Sequence, residues 1–386
     1  MVYGRRKINT TTILVTLLLS FIYTTALQPV EGEVLYEWKN LPPLPTPRTE
    51  VTSTVVGNDF YVLGGFEDPG VSSNKVEIFN AANDSWRRGP SLPTPLHHSV
   101  AVTLNGKIYV IGGYLEGWIP VDTVYIYDPK DGEWVEGPRL PRAKAAFTAQ
   151  VVDGKIYTVG GASTRVEGGR RVDEVLGVNE YLDPATNTWH IAAQMPTIRE
   201  HLASAVVDGK IYIIGGRVLT LESNTDVNEV YDPKTDTWSK KAPMLTKRGG
   251  IAMATLSGKI FVFGGESNTR TFKEVEEYTP ATDMWRQVEP MPTARHGLTA
   301  ATLLGKIIVV GGGRQPGIYM SDINEAFMPA HPSASFTSST LKGVDEFTKV
   351  VADDGESNDS LWFLLYAVIA VTVILSAIIY FRMKKR

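Results

Sequence analysis

The chain has 386 residues, 43% hydrophobic and 21% charged, with a net charge of −4 and no cysteine. That composition excludes a wholly disordered chain, and the acidic balance runs against a nucleic-acid binder. Without cysteine there can be no disulfide, thiolate metal site, iron–sulfur cluster or cysteine nucleophile, while 35 glycines, 23 prolines and 16 tyrosines point to many short strands joined by turns.

At the N-terminus, Arg5, Arg6 and Lys7 are followed by no charged residue until Glu31. Residues 13–23 (ILVTLLLSFIY) form a short apolar core, and Thr24, Thr25 and Ala26 follow it. A basic start, an apolar core of this length and a small-residue exit predict a signal peptide over 1–26, with a retained signal anchor as the alternative.

Residues 33–329 repeat one unit six times. Glycine doublets stand at Gly64-Gly65, Gly112-Gly113, Gly160-Gly161, Gly215-Gly216, Gly264-Gly265 and Gly311-Gly312, stepping by 48, 48, 55, 49 and 47 residues. Trp38, Trp86, Trp134, Trp189, Trp238 and Trp285 step by the same intervals. A period near 50 residues means a propeller or a solenoid. Each unit reads as four strands. In the second, HSVAVTL (98–104) turns into KIYVIGG (107–113), and a variable loop leads to VYIYDP (124–129) and a strand carrying Trp134. The glycines are expected to allow positive φ and close backbone approach where blades converge, and the tryptophans to lie as apolar plates between sheets.

Register predicts how the ring closes. Each of these six tryptophans lies ten residues ahead of one position: Arg48, Leu96, Lys144, Arg199, Arg248 and Arg295. The sixth unit reaches Phe327, equivalent to Tyr127 and Tyr231, with no tryptophan seven residues on. The unmatched Trp38 fills that place, so the N-terminal strand completes the last blade and hides its edge.

The glycine doublet, the YDP-like turn, the spaced tryptophan and the arginine before the inner strand together resemble the kelch repeat family, over about residues 35–329. The resemblance implies an all-β, six-bladed propeller. Kelch propellers serve as interaction scaffolds, enzymes and adhesion modules, so it implies no single function. The first unit departs at Phe79-Asn80 and the fifth at Tyr278-Thr279, and the third carries a seven-residue insertion around Val166 to Asp173.

Residues 330–360 (Ser, Pro and Asp rich) read as a stalk. Residues 361–381 are 21 residues without a charge, about 30 Å as a helix and so long enough to cross a bilayer. The tail 382–386 is basic and the preceding stretch acidic, which predicts a cytoplasmic C-terminus with the propeller outside. Asn83 and Asn358 begin N-x-S sequons. A cysteine-free domain outside the cytoplasm points to a prokaryotic cell envelope.

In a four-stranded blade, the link into the inner strand and the loop after the glycine doublet share one face, which here is irregular and is where recognition is expected. Arg48, Lys144, Arg199, Arg248 and Arg295 lie at the start of the inner-strand segment, followed by Glu50, His97, His98, His201 and His296 at the next two positions. Arg217 and Arg314 join from the variable loops, as do Tyr114, Trp118, Glu266 and Arg270. Converging arginines favour an acidic ligand; the competing expectation is that they tie blades to backbone carbonyls. No metal site is expected, because the possible ligands are scattered in sequence, and no cofactor is expected.

Two functions follow. One is an outward-facing, membrane-anchored binding module for an acidic protein, peptide or glycan, anchored in the lipid bilayer by 361–381 and binding no nucleic acid. The other is an extracytoplasmic enzyme resembling the kelch sialic-acid mutarotases, with arginines on the carboxylate and Glu50, His98 or His201 moving a proton at the anomeric centre.

Overall fold

A computed structural model describes residues 34–330. The expectations for 1–26, for the stalk beyond Ala330, for 361–381 and for the basic tail lie outside the described residues. Among those described, no helix is long and apolar enough to cross a membrane.

Six four-stranded antiparallel sheets surround a central axis. Their inner strands are Thr52–Val56, Val100–Leu104, Thr148–Val152, Ala203–Val207, Ala252–Leu256 and Thr299–Leu303. The second blade continues through Lys107–Ile111 and Val124–Asp128 to Glu133–Glu136, as the four-strand reading expects. Burial grades outward for a simple reason. The second strand of each blade, such as KIYVI, is covered by a neighbouring blade on both faces and reads as a continuous apolar run. The outer strand, such as EWVE, is covered only at its tryptophan.

The sixth blade contains Thr299–Leu303, Lys306–Val310 and Asn324–Pro329, and its outer strand is Tyr36–Asn40 from the other end of the chain. Trp38 pairs with Phe327, as Trp134 pairs with Tyr127 and Trp238 with Tyr231. The indole of Trp86 donates to the Pro42 carbonyl (2.8 Å) and that of Trp134 to Pro90 (3.1 Å), each four residues past the preceding blade's tryptophan. Trp38 continues the series by donating to Glu289, four residues past Trp285.

Blades are stitched at the glycine doublets. The second glycine's N–H donates to the carbonyl of the next blade's register position, from Gly65 to Leu96 (2.8 Å) round to Gly312 to Arg48 (2.8 Å). A Cβ on Gly64 would lie 2.5 Å from the Leu96 carbonyl oxygen, so the close approach requires glycine there. The third blade's insertion forms its own two-stranded ribbon, Ala162–Glu167 with Arg170–Val175.

Candidate functional site

One turn of backbone recurs six times around the axis and builds the floor of a funnel. Glu50, His98, Ala146, His201, Gly250 and Gly297 all have φ between 50° and 65°. Their amides form a closed ring: Glu50 donates to Gly297, His98 to Glu50, Ala146 to His98, His201 to Ala146, Gly250 to His201 and Gly297 to Gly250, at 2.8–3.3 Å. Four of these residues are not glycine, and left-handed backbone costs such residues energy; the closed ring holds them in it. Gly297 has a further reason, since a Cβ there would lie 2.5 Å from a Glu50 carboxylate oxygen. Below the ring a channel of about 210 Å³ runs between the inner strands, bordered by hydroxyls such as Ser53, Thr148, Ser204 and Thr299.

The five predicted basic ligand-binding residues are not on this surface. Arg48, Lys144, Arg199, Arg248 and Arg295 are each 0% exposed. They pair at 2.6–3.1 Å with Glu77, Glu180, Glu229, Glu276 and Glu325 on the third strand of the same blade. Arg48 also donates to the Gly64 carbonyl (2.7 Å). They are struts, and the reason is local: a guanidinium at the blade junction meets backbone carbonyls and a carboxylate before it reaches solvent. Burial pushes Arg295 down to about 10 against the pull of Glu325. In the second blade both partners are exchanged together. Leu96 replaces the base and Tyr125 the acid, and the Tyr125 hydroxyl meets Thr94 (2.9 Å) much as Glu229 meets Thr197 (2.7 Å).

The remaining predicted residues divide. Glu50, His98 and His201 converge, each offering a donor atom within 4.8 Å of the others. His98 Nε2 stands 3.2 Å from Glu50, and His296 Nδ1 stands 3.3 Å from Glu50 and 3.5 Å from Glu266. Arg217 bridges Glu200 and Glu266, both at 2.9 Å, and His201 Nδ1 is bonded to Glu200. His97 turns away from the axis, stacks on Phe66 at 3.9 Å and contacts the His98 ring nitrogen (2.6 Å). Arg314 is exposed. The expectation that the possible ligands are scattered does not hold in space, because the ring register superposes residues from three blades. Glu200 was missing from the predicted set, and its signal was positional, since it lies beside His201 in the register. Glu266, expected as a loop residue after a glycine doublet, is the second carboxylate on Arg217.

Electrostatically the floor mixes neutral bases with carboxylates. Burial pushes the Glu50 carboxyl up, but His98, His296 and His201 outweigh it and hold Glu50 well below the usual carboxylate range. Burial lowers His98 and takes His201 well below its ordinary value, with Arg217 adding to the effect at His201. His296 is lowered by burial but raised overall by Glu50 and Glu266. Burial and then His98 push His97 down to about 3. The floor can therefore accept hydrogen bonds through imidazole nitrogens and carboxylates, or move a proton among them.

Around the floor the loops form a wall. Ser72 bonds Glu116 (3.0 Å) between the first and second blades, and Arg171 bonds the Trp118 carbonyl (2.8 Å) between the second and third. Asn224 bonds the Glu266 carbonyl (2.7 Å), and Thr271 that of Arg314 (3.0 Å).

With six four-stranded blades and this register in place, the fold is that of a kelch propeller. The family described as the KLHDC2/KLHL20/DRC7 Kelch-repeats domain matches residues 50–247 and 147–328, and the chain belongs to the kelch-repeat family. Among solved structures it is similar to "Structure of YjhT", with a TM-score of 0.63 and 15% identity, over 74% of this chain and 95% of that one. No curated protein sequence matches it.

Proposed function

We propose that this chain is a membrane-anchored binding module that displays the funnel face outward and takes a protein, peptide or glycan ligand there. The carrying observation is the rim. Val71, Trp118, Ile119, Leu219, Ile318 and Tyr319, all on loops of the funnel face, are 43–53% exposed. Apolar tips gathered around a polar floor suit a ligand with an apolar face and a hydrogen-bonding end. The acidity expected of that ligand rested mainly on five basic residues that are buried and paired, and Arg217 from the loops is paired with Glu200 and Glu266, so it is not carried forward. The anchor rests on the uncharged run 361–381 and the basic residues Arg382, Lys384, Lys385 and Arg386 after it.

Screening the full-length protein against peptide and glycan arrays tests the reading. Changing Trp118→Ala with Tyr319→Ala is expected to weaken capture of the selected ligand at least about tenfold, since losing one good contact of about 1.4 kcal/mol has that effect. Changing Lys155→Ala with Lys210→Ala, on the opposite face, leaves capture unaltered. On intact cells, added protease is expected to remove the propeller and spare the extreme C-terminus. Equal capture by all variants overturns the surface, and protection of the whole chain overturns the orientation.

One observation favours a second reading, an extracytoplasmic enzyme resembling the sialic-acid mutarotases. Glu50, His98 and His201 stand together on the floor, where an ionised carboxylate beside neutral imidazoles is suited to moving a proton at an anomeric centre. Arg217, not the buried register arginines, is then the cation nearest a substrate carboxylate.

A further inference from the structure

The convergence of Glu50, His98 and His201 has a feature that neither reading requires. Each of the three is backed by a group that leaves one donor atom facing the others. His201 Nδ1 is held by Glu200, leaving Nε2. His98 Nδ1 is held by His97, and its Nε2 faces Glu50. One Glu50 oxygen faces His98 and the other faces His296. A carboxylate behind one imidazole and a ring nitrogen behind another is how outer groups fix the tautomer and orientation of metal-binding histidines.

We propose that Glu50, His98 and His201 bind a single divalent transition-metal ion of the zinc type at the funnel floor, with a coordination position open to the ligand space. Two imidazoles and one carboxylate are the donor set of open, three-ligand zinc sites, and imidazole favours zinc, cobalt or nickel over calcium and magnesium. The donors come from three blades, yet their backbones belong to one hydrogen-bonded ring, so the set is preorganised. Bonds of about 2.0–2.2 Å to a tetrahedral ion place donors about 3.3 Å apart. Binding then requires the present spread, within 4.8 Å, to close by side-chain rotation. Charge agrees: Glu200 and Glu266 share the single guanidinium of Arg217, Glu50 faces only imidazoles, and a dication offsets the excess. His296, 1% exposed, stands 3.3 Å from the second Glu50 oxygen and orients that carboxylate from outside the donor set.

The test is titration of the full-length protein, stripped with chelator, with zinc and with cobalt(II). One ion per chain is expected, with the intense visible absorption of tetrahedral cobalt and no displacement by excess calcium. His98→Gln and His201→Gln should each weaken zinc affinity at least 100-fold, and Glu200→Gln, behind His201, about 10–100-fold. Glu50→Gln should weaken zinc affinity while keeping the side-chain volume, and His190→Gln, on an outer strand, should change nothing. Circular dichroism and melting temperature are recorded for every variant, so that loss of the ion is scored only in folded protein. Absence of stoichiometric binding overturns the proposal, as does unchanged affinity in folded His98→Gln and His201→Gln.

Discussion

Arg199 shows how one residue can be legible in position and misleading in role. A base at a fixed register in five of six units looks the same in sequence whether it meets a ligand or a glutamate. Its partner Glu229 lies 30 residues on, and only the paired exchange of Leu96 with Tyr125 in the second unit betrays the coupling. That exchange also yields a test. Arg199→Leu alone leaves Glu229 buried without its cation and is expected to cost about 3–5 kcal/mol, because breaking a buried pair strands a charge. Adding Glu229→Tyr copies the second blade's own solution and should recover most of that loss. Denaturant unfolding of the two single variants and the double gives the coupling directly; additive losses would show that the pair is not a strut. The role of Glu200 was hidden for a different reason: besides its neighbour His201 it meets Arg217, a contact between separate segments that no periodicity argument specifies.

At the scale of strands, most of the fold was legible because a propeller imposes one hydrogen-bonding scheme six times, and the sequence must satisfy it each time. The tryptophan spacing alone located the seam. Tyr36–Asn40 is held there by five rungs against the strand Asn324–Pro329. Tyr36 stacks on Phe327 at 4.7 Å, Trp38 lies 5.0 Å from the same ring, and the Tyr36 hydroxyl donates to Glu277 (2.8 Å). A chain beginning at Leu41 loses all of this and exposes an edge. It should unfold with several kcal/mol less stability, since truncating one large core aromatic costs about 3–5. An unchanged melting temperature would mean that the ring is closed by other contacts. What the period could not supply was the loops: the third unit's insertion was visible as added length, but its six-rung ribbon was not.

For the whole molecule, the close packing of blades shows in its tyrosines. Burial raises the phenols of Tyr36, Tyr61, Tyr109, Tyr114, Tyr157, Tyr212, Tyr231 and Tyr278, with Tyr157 pushed up to about 12. The unfolded chain releases these protons near pH 10 and the folded one later. Their contribution to stability is therefore whole below pH 10 and is lost as pH rises through the folded values. Ultraviolet titration of the folded protein should show these phenols ionising only beyond pH 10, together with a falling melting temperature; ionisation of all 16 tyrosines near pH 10 without unfolding would contradict this packing. The seam has a mechanical consequence as well. Ala330 donates to the Leu35 carbonyl at 2.8 Å, so the two ends of the described chain leave from the same end of the closing strand pair. Tension applied between them peels that pair one rung at a time, beginning at Tyr36 and Pro329, and does not load its rungs together in shear. The ring is thus weakest to force applied across its own ends, and a short peptide joining them would remove that weakness without altering a single blade.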